Sequence, residues 1–133
     1  MRSWQIVAGL AALAVAAQCY GLYRPTGPPA PPWFPQADKV QHAAGFGLPV
    51  ALVLSALGLR ARQRGASLGR RVLITVASIF LAHAVLSEVI QHTFYRHRSG
   101  DPLDVLADSV GVVLGVAVAV RVFRRRSGSQ VLR

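Results

Sequence analysis

The residues able to do chemistry in this chain are few and grouped. Only five of its 133 residues are Asp or Glu. Asp38 stands first, and Glu88, Asp101, Asp104 and Asp108 follow where one strongly apolar segment ends and the next begins. Glu88 and Asp108 lie within the apolar segments themselves. An ionisable group at such a position in a membrane is costly unless it faces a protein partner or water, so a polar site is the default reading. Glu88, Gln91, His92 and Tyr95 recur at i, i+3, i+4 and i+7 and share one helix face. Asp104, Asp108, Gly111 and Gly115 form a second such stripe. Counting about 1.5 Å per residue from the segment ends puts Glu88 and Asp108 at the same depth, on the order of 8–10 Å below the surface. The short link between the two segments makes them antiparallel neighbours. Two carboxylates so placed repel each other, so one should be protonated, or a cation or an arginine should lie between them. Arg96 and Arg98 are within reach in the link, as is Lys39 at the mouth of another segment. His42, one turn further in, titrates near neutrality.

Several of these residues also have purely structural readings. Asp101, Pro102 and Asp104 fit the N-cap, first and third positions of a helix, where they stabilise its start. Asp108 is one turn too deep for capping. Gly111 and Gly115 are a GxxxG pair, which lets two helices approach closely in lipid and is expected to pack helices rather than do chemistry. His83 lies nine residues before His92, roughly 180° around the helix, and is expected to be a packed, hydrogen-bonded histidine outside the site.

The elements that position these groups are apolar helices. Residues of the AVILMFWYC set make up 53% of the chain and charged residues only 15%, against about 25% in soluble domains. Mean hydropathy is +0.41. A bilayer-spanning helix needs about 20 mainly apolar residues, and four stretches qualify: 3–23, 40–59, 72–93 and 103–123. The expected fold class is an all-α integral membrane bundle of four transmembrane helices, in one domain covering 1–133. Segment 24–37 holds six prolines and reads as an extended outer loop, with Trp33 and Phe34 as interfacial anchors. The loop 60–71 holds five arginines and no acid, and the tail 124–133 is also basic. Eleven of the 15 Lys and Arg residues fall on the side of the termini and this loop, and four on the other. The positive-inside rule therefore makes both termini cytoplasmic and turns the acidic window outward. The first segment also has features of a secretory signal, but its uncharged run is long enough to span, and a retained helix is the expectation. With one cysteine, Cys19, no intrachain disulfide is available. The net charge of +10 is accounted for by short clusters flanking spans, whose partner is anionic lipid rather than nucleic acid.

Two blocks of sequence resemble the VanZ-like family of small membrane proteins. In ADKVQHAAGF, Asp38, Lys39, His42 and Phe46 match that family's D-K-x-x-H-x-x-x-F. In SEVIQ and RSGDPLDVLADSVGVVLG, Glu88 and Gln91 match E-x-x-Q, and Arg98, Asp104, Gly111 and Gly115 match R…D…G…G. The chain departs at Asp108, where the family usually has Asn. The resemblance implies a bacterial-type cell-envelope protein in the cell membrane. The family takes its name from a member linked to glycopeptide (teicoplanin) resistance, and the resemblance speaks to architecture and location rather than to an activity.

Three functions are compatible with these residues. The first is an outward pocket of Asp38, Lys39, His42, Glu88, Gln91, Arg98, Asp104 and Asp108 that binds a polar head group. Its partner is a membrane lipid, a lipid-linked wall precursor or a glycopeptide, and Arg98 and Lys39 would meet phosphate or carboxylate. The second is a membrane-embedded hydrolase or transferase on lipid head groups, with His42, Glu88 and Asp108 as candidate catalytic residues. No cofactor is required, although a divalent metal suits this carboxylate and imidazole set. The third is proton or ion passage through a homo-oligomer, which the GxxxG stripe permits.

Overall fold

The computed structural model describes residues 2–26, 34, 36–95 and 100–124. Most of the proline-rich segment with Trp33, the link arginines Arg96 and Arg98, and the tail from 125 onward lie outside the described residues. The chain forms four helices: α1 (Ser3–Tyr23), α2 (Ala37–Gln63), α3 (Arg70–Phe94) and α4 (Pro102–Arg124). Each is long and apolar enough to cross a membrane. At about 1.5 Å per residue, even the 21 residues of α1 cover the ~30 Å hydrocarbon thickness of a bilayer.

Large apolar side chains point outward along every helix, among them Leu13, Leu48, Ile79 and Val113. A soluble domain rarely exposes contiguous apolar surface on this scale. These faces suit lipid, and with helical segments satisfying their own backbone hydrogen bonds the pattern is that of a multi-pass membrane protein.

The helices run longer than the apolar stretches that announce them. α2 takes in Ala37 to Lys39 at its start and Arg60 to Gln63 at its end, and α3 begins at Arg70. Much of the basic loop is therefore helical. Arginine is a good helix former and is favoured in a last helical turn, where it complements the dipole. The Arg62 guanidinium donates to the Phe123 carbonyl oxygen at 3.0 Å and lies over the Phe123 ring at 4.5 Å. Arg60 lies 5.3 Å over the Trp4 ring. These contacts close the basic end of the bundle.

α2 is the central helix, with α1 packed on one side and α4 on the other. α3 packs mainly on α4 and more lightly on α2 and α1. Leu22, Phe46, Val50, Leu54, Phe80, Ala84, Val112 and Ala119 form the apolar core. The α2–α4 contact is the tightest, because small residues face each other there. A Cβ placed on Gly111 would run into the backbone of Ala43, and one on Gly115 would meet Gly47 and Val50. This close approach sets the site's geometry: His42 directly precedes Ala43, and Asp108 is one turn before Gly111. The GxxxG stripe is thus taken up inside the chain rather than between chains.

Candidate functional site

All five carboxylates of the chain gather at one end of the bundle, where the starts of α2 and α4 meet the end of α3. Lys39, in the first turns of α2, reaches across to α4. Its Nζ donates to Asp101 Oδ2 at 2.6 Å and Asp104 Oδ1 at 2.5 Å, and lies 3.1 Å from Asp38 Oδ2. Asp101 has two roles, since its Oδ1 also accepts the Leu103 N–H at 2.9 Å and caps α4. The Lys39 ammonium, followed by that N–H, holds the Asp101 carboxyl below the usual aspartate range.

One turn further in, His42 Nδ1 is 2.9 Å from Asp108 Oδ1, and His42 Nε2 is 3.5 Å from Asp104 Oδ2. Glu88 comes from α3, and its Oε2 accepts the Asp101 N–H at 2.9 Å. A ligand atom from each of His42, Glu88 and Asp108 lies within 4.8 Å of the others. Asp108 is fully buried and Glu88 only 6% exposed. Asp108 Oδ2 and Glu88 Oε1 have no hydrogen-bond partner among the described residues. Unpaired buried carboxylate oxygens are costly, so their convergence beside an imidazole needs a chemical reason.

The structure therefore brings together Asp38, Lys39, His42, Glu88, Asp104 and Asp108. Arg98, expected in the same pocket, lies outside the described residues. Gln91 turns elsewhere: its Nε2 donates to the Leu22 carbonyl of α1 at 3.0 Å. Tyr95, on the same stripe, donates to the Tyr23 carbonyl at 2.7 Å. Adjacent members of an i, i+3 stripe are ~60° apart, enough for Glu88 to face α4 while Gln91 faces α1. His92 is exposed. His83 shares a 3.0 Å hydrogen bond with the Tyr23 hydroxyl and sits against the Phe46 ring, within electrostatic reach of Asp108.

A feature that charge and spacing do not reveal is a cleft of about 290 Å³ between α1 and α2. Ala14, Ala17 and Gly21 of α1 face Ala44, Gly45 and Pro49 of α2 across it. The small residues leave the gap, and a Cβ on either Gly21 or Gly45 would meet nothing within 4 Å. His42 lines this cleft as well as the carboxylate cluster. Gln18, only 7% exposed, also lines it. Neither atom of the Gln18 side-chain amide has a partner among the described residues. Gln18, set in the alanine-rich half of α1, is the one sequence signal for it.

No protein-family model, curated protein or solved structure matches this chain. Its function is therefore argued from the site.

Proposed function

We propose that this protein binds an amphiphile at the acidic end of its bundle, with the polar head against the carboxylate cluster and the apolar tail in the α1–α2 cleft. The observation that carries this reading is that His42 belongs to both. One imidazole borders a buried, charged cluster on one side and an apolar cleft with an unpaired Gln18 amide on the other. A lipid has that same division between a head that hydrogen-bonds and a tail that needs an apolar wall. Pockets that combine apolar lining with a few convergent polar groups are the usual form of ligand sites.

The charge asymmetry of the loops supports an orientation with both termini cytoplasmic and the acidic end outward. The two VanZ-like blocks support a place in a bacterial cell envelope, where a lipid-linked wall precursor is an amphiphile of the right class. A glycopeptide would engage the head-group side alone. Lys39 is already held by three carboxylates, so the head group would bring hydrogen-bond donors or positive charge rather than a bare phosphate.

The test is photolabelling of the protein in vesicles with a phospholipid carrying a diazirine in its acyl chain. Labels should map to Ala14, Ala17 and Ala44. Filling the cleft with Gly45→Leu should suppress them, and a lipid-linked wall precursor should compete. Uniform labelling of outward faces such as that of Val113, unchanged by Gly45→Leu, would overturn the reading.

One observation favours a second reading, a hydrolase or transferase acting on the same head groups. The His42 imidazole is held at 2.9 Å by a fully buried carboxylate, as a general base is commonly oriented. Turnover of labelled lipid by purified protein, lost in Glu88→Gln, would establish that activity, and lipid binding without turnover would exclude it. Ion passage is less well supported, because beyond the cluster and His83 the interior is the apolar core of Val50, Leu54, Phe80, Val112 and Ala119.

A further inference from the structure

We infer that His42, Glu88 and Asp108 form a binding site for one divalent transition-metal ion, with Zn²⁺ or Mn²⁺ as the fitting class. The donors come from three different helices, and a ligand atom from each lies within 4.8 Å of the others. Zinc ligands at ~2.0–2.2 Å from the ion stand about 3–3.5 Å apart, so these side chains need to draw in by roughly an ångström.

Proximity of acids is not the argument by itself. Two independent facts point to a missing ligand. Asp108 Oδ2 is in a fully buried side chain and Glu88 Oε1 in one only 6% exposed, and both lack a partner among the described residues. Native proteins rarely leave buried carboxylate oxygens unpaired. The second fact is that groups suited to an outer shell lie beside the donors. Asp104 Oδ2 lies 3.5 Å from His42 Nε2, which suits a carboxylate that orients a metal-bound imidazole through its other nitrogen. The Asp101 N–H fixes Glu88 through Oε2 at 2.9 Å, leaving Oε1 for the ion. An ion held by His42 Nδ1 and Asp108 would replace their direct 2.9 Å contact.

One imidazole with two carboxylates selects against Mg²⁺ and Ca²⁺, which favour all-oxygen shells, and suits ions that accept mixed nitrogen and oxygen donors. Three protein ligands also leave coordination positions open, as in catalytic rather than structural zinc sites. A phosphate-bearing head group would then meet a cation at the cluster. That last step rests on the amphiphile reading above, whereas the metal site itself does not.

The experiment is calorimetric titration of Zn²⁺, Mn²⁺ and Mg²⁺ into the full chain in detergent, stripped of metal and free of any histidine tag. The expected result is one Zn²⁺ or Mn²⁺ per chain with no saturable Mg²⁺, and loss of that site in both Glu88→Gln and Asp108→Asn. Asp104→Asn should weaken affinity about 10–100-fold, the usual effect of an outer-shell partner. X-ray absorption on the Zn²⁺-loaded wild type needs no variant. It should show one imidazole nitrogen with oxygen ligands, whereas sulfur from Cys19 or two imidazoles would overturn the inference. Absence of stoichiometric binding, or binding untouched by both substitutions, would overturn it too. A protein that takes up lipid but no metal refutes this site alone, and one that binds metal but no lipid refutes the amphiphile reading alone.

Discussion

Gly111→Ala adds one methyl group at the point where α2 and α4 come closest, and its effect on the site can be worked out. The new Cβ would land on the Ala43 backbone, meeting its carbonyl oxygen, carbonyl carbon and Cα. None of these is the movable end of a side chain, so the helices must separate. Restoring ordinary contact distances of ~3.5 Å takes a displacement of about 1 Å. His42 is the residue before Ala43, and Asp108 is one turn before Gly111. Their 2.9 Å contact is thereby stretched past the ~3.2 Å limit of a good hydrogen bond. Overpacking of this kind costs about 1–3 kcal/mol, and a hydrogen bond to a charged group contributes about 1.5–3 kcal/mol. One displacement causes both losses, so a combined cost of about 3 kcal/mol is expected, roughly a hundredfold in the folding equilibrium. Reversible unfolding in mixed detergent micelles measures it. Gly45→Ala and Gly9→Ala are the controls, since a Cβ at either position meets nothing within 4 Å, and both should be neutral or stabilise by up to about 1 kcal/mol. Asp108→Asn should also cost less in the Gly111→Ala background than in wild type, because its bond is already broken. Equal effects of Gly111→Ala and Gly45→Ala would refute the close approach of α2 and α4.

Lys39→Met leaves Asp38, Asp101 and Asp104 without their shared ammonium and should cost roughly 2 kcal/mol near neutral pH, part of it recovered in acid as Asp101 takes up its proton. Detergent unfolding at two pH values checks both parts. Asp101 is held below the usual aspartate range by Lys39, so its contribution is complete above about pH 4 and is lost as pH falls through the depressed value. Asp101→Asn should accordingly flatten the acid limb of a stability–pH profile, and an unchanged limb would count against the Lys39 bridge. Gln91→Leu with Tyr95→Phe removes the two hydrogen bonds that α3 and its C-cap donate to the Leu22 and Tyr23 carbonyls. A loss of about 1 kcal/mol per bond, with faster proteolysis near Tyr23 and Arg24, is expected, while zinc affinity should not move.

The spans were legible because uninterrupted apolar runs of such length have few other uses, and the convergence of Glu88 and Asp108 because helical spacing and depth fix where a side chain faces. Helix ends were less legible. The Arg60–Gln63 extension depends on arginine being a good helix former, which an apolar window does not register. Within the site, Gln91 shared a stripe with Glu88, and only the position of α1 determines that it serves as a tie to Leu22. Asp101 read as a helix cap, a role it has, but the same carboxylate also meets Lys39 from a residue 62 positions earlier. Apart from Gln18, the α1–α2 cleft left no trace in the sequence for a related reason: Ala14, Ala17, Gly21 and Gly45 carry no chemical signal, and a gap exists only once two helices are placed side by side.

The meeting of α2, α3 and α4 at one buried point is tested most directly by thiol cross-linking in a Cys19→Ser background, which removes the chain's single cysteine. The His42→Cys/Asp108→Cys and Glu88→Cys/Asp108→Cys pairs should each be joined within one chain by a short bifunctional reagent. Val40→Cys/Asp108→Cys, with Val40 54% exposed, should not. Failure of the first two pairs in folded protein, or equal reaction of all three, would contradict the site.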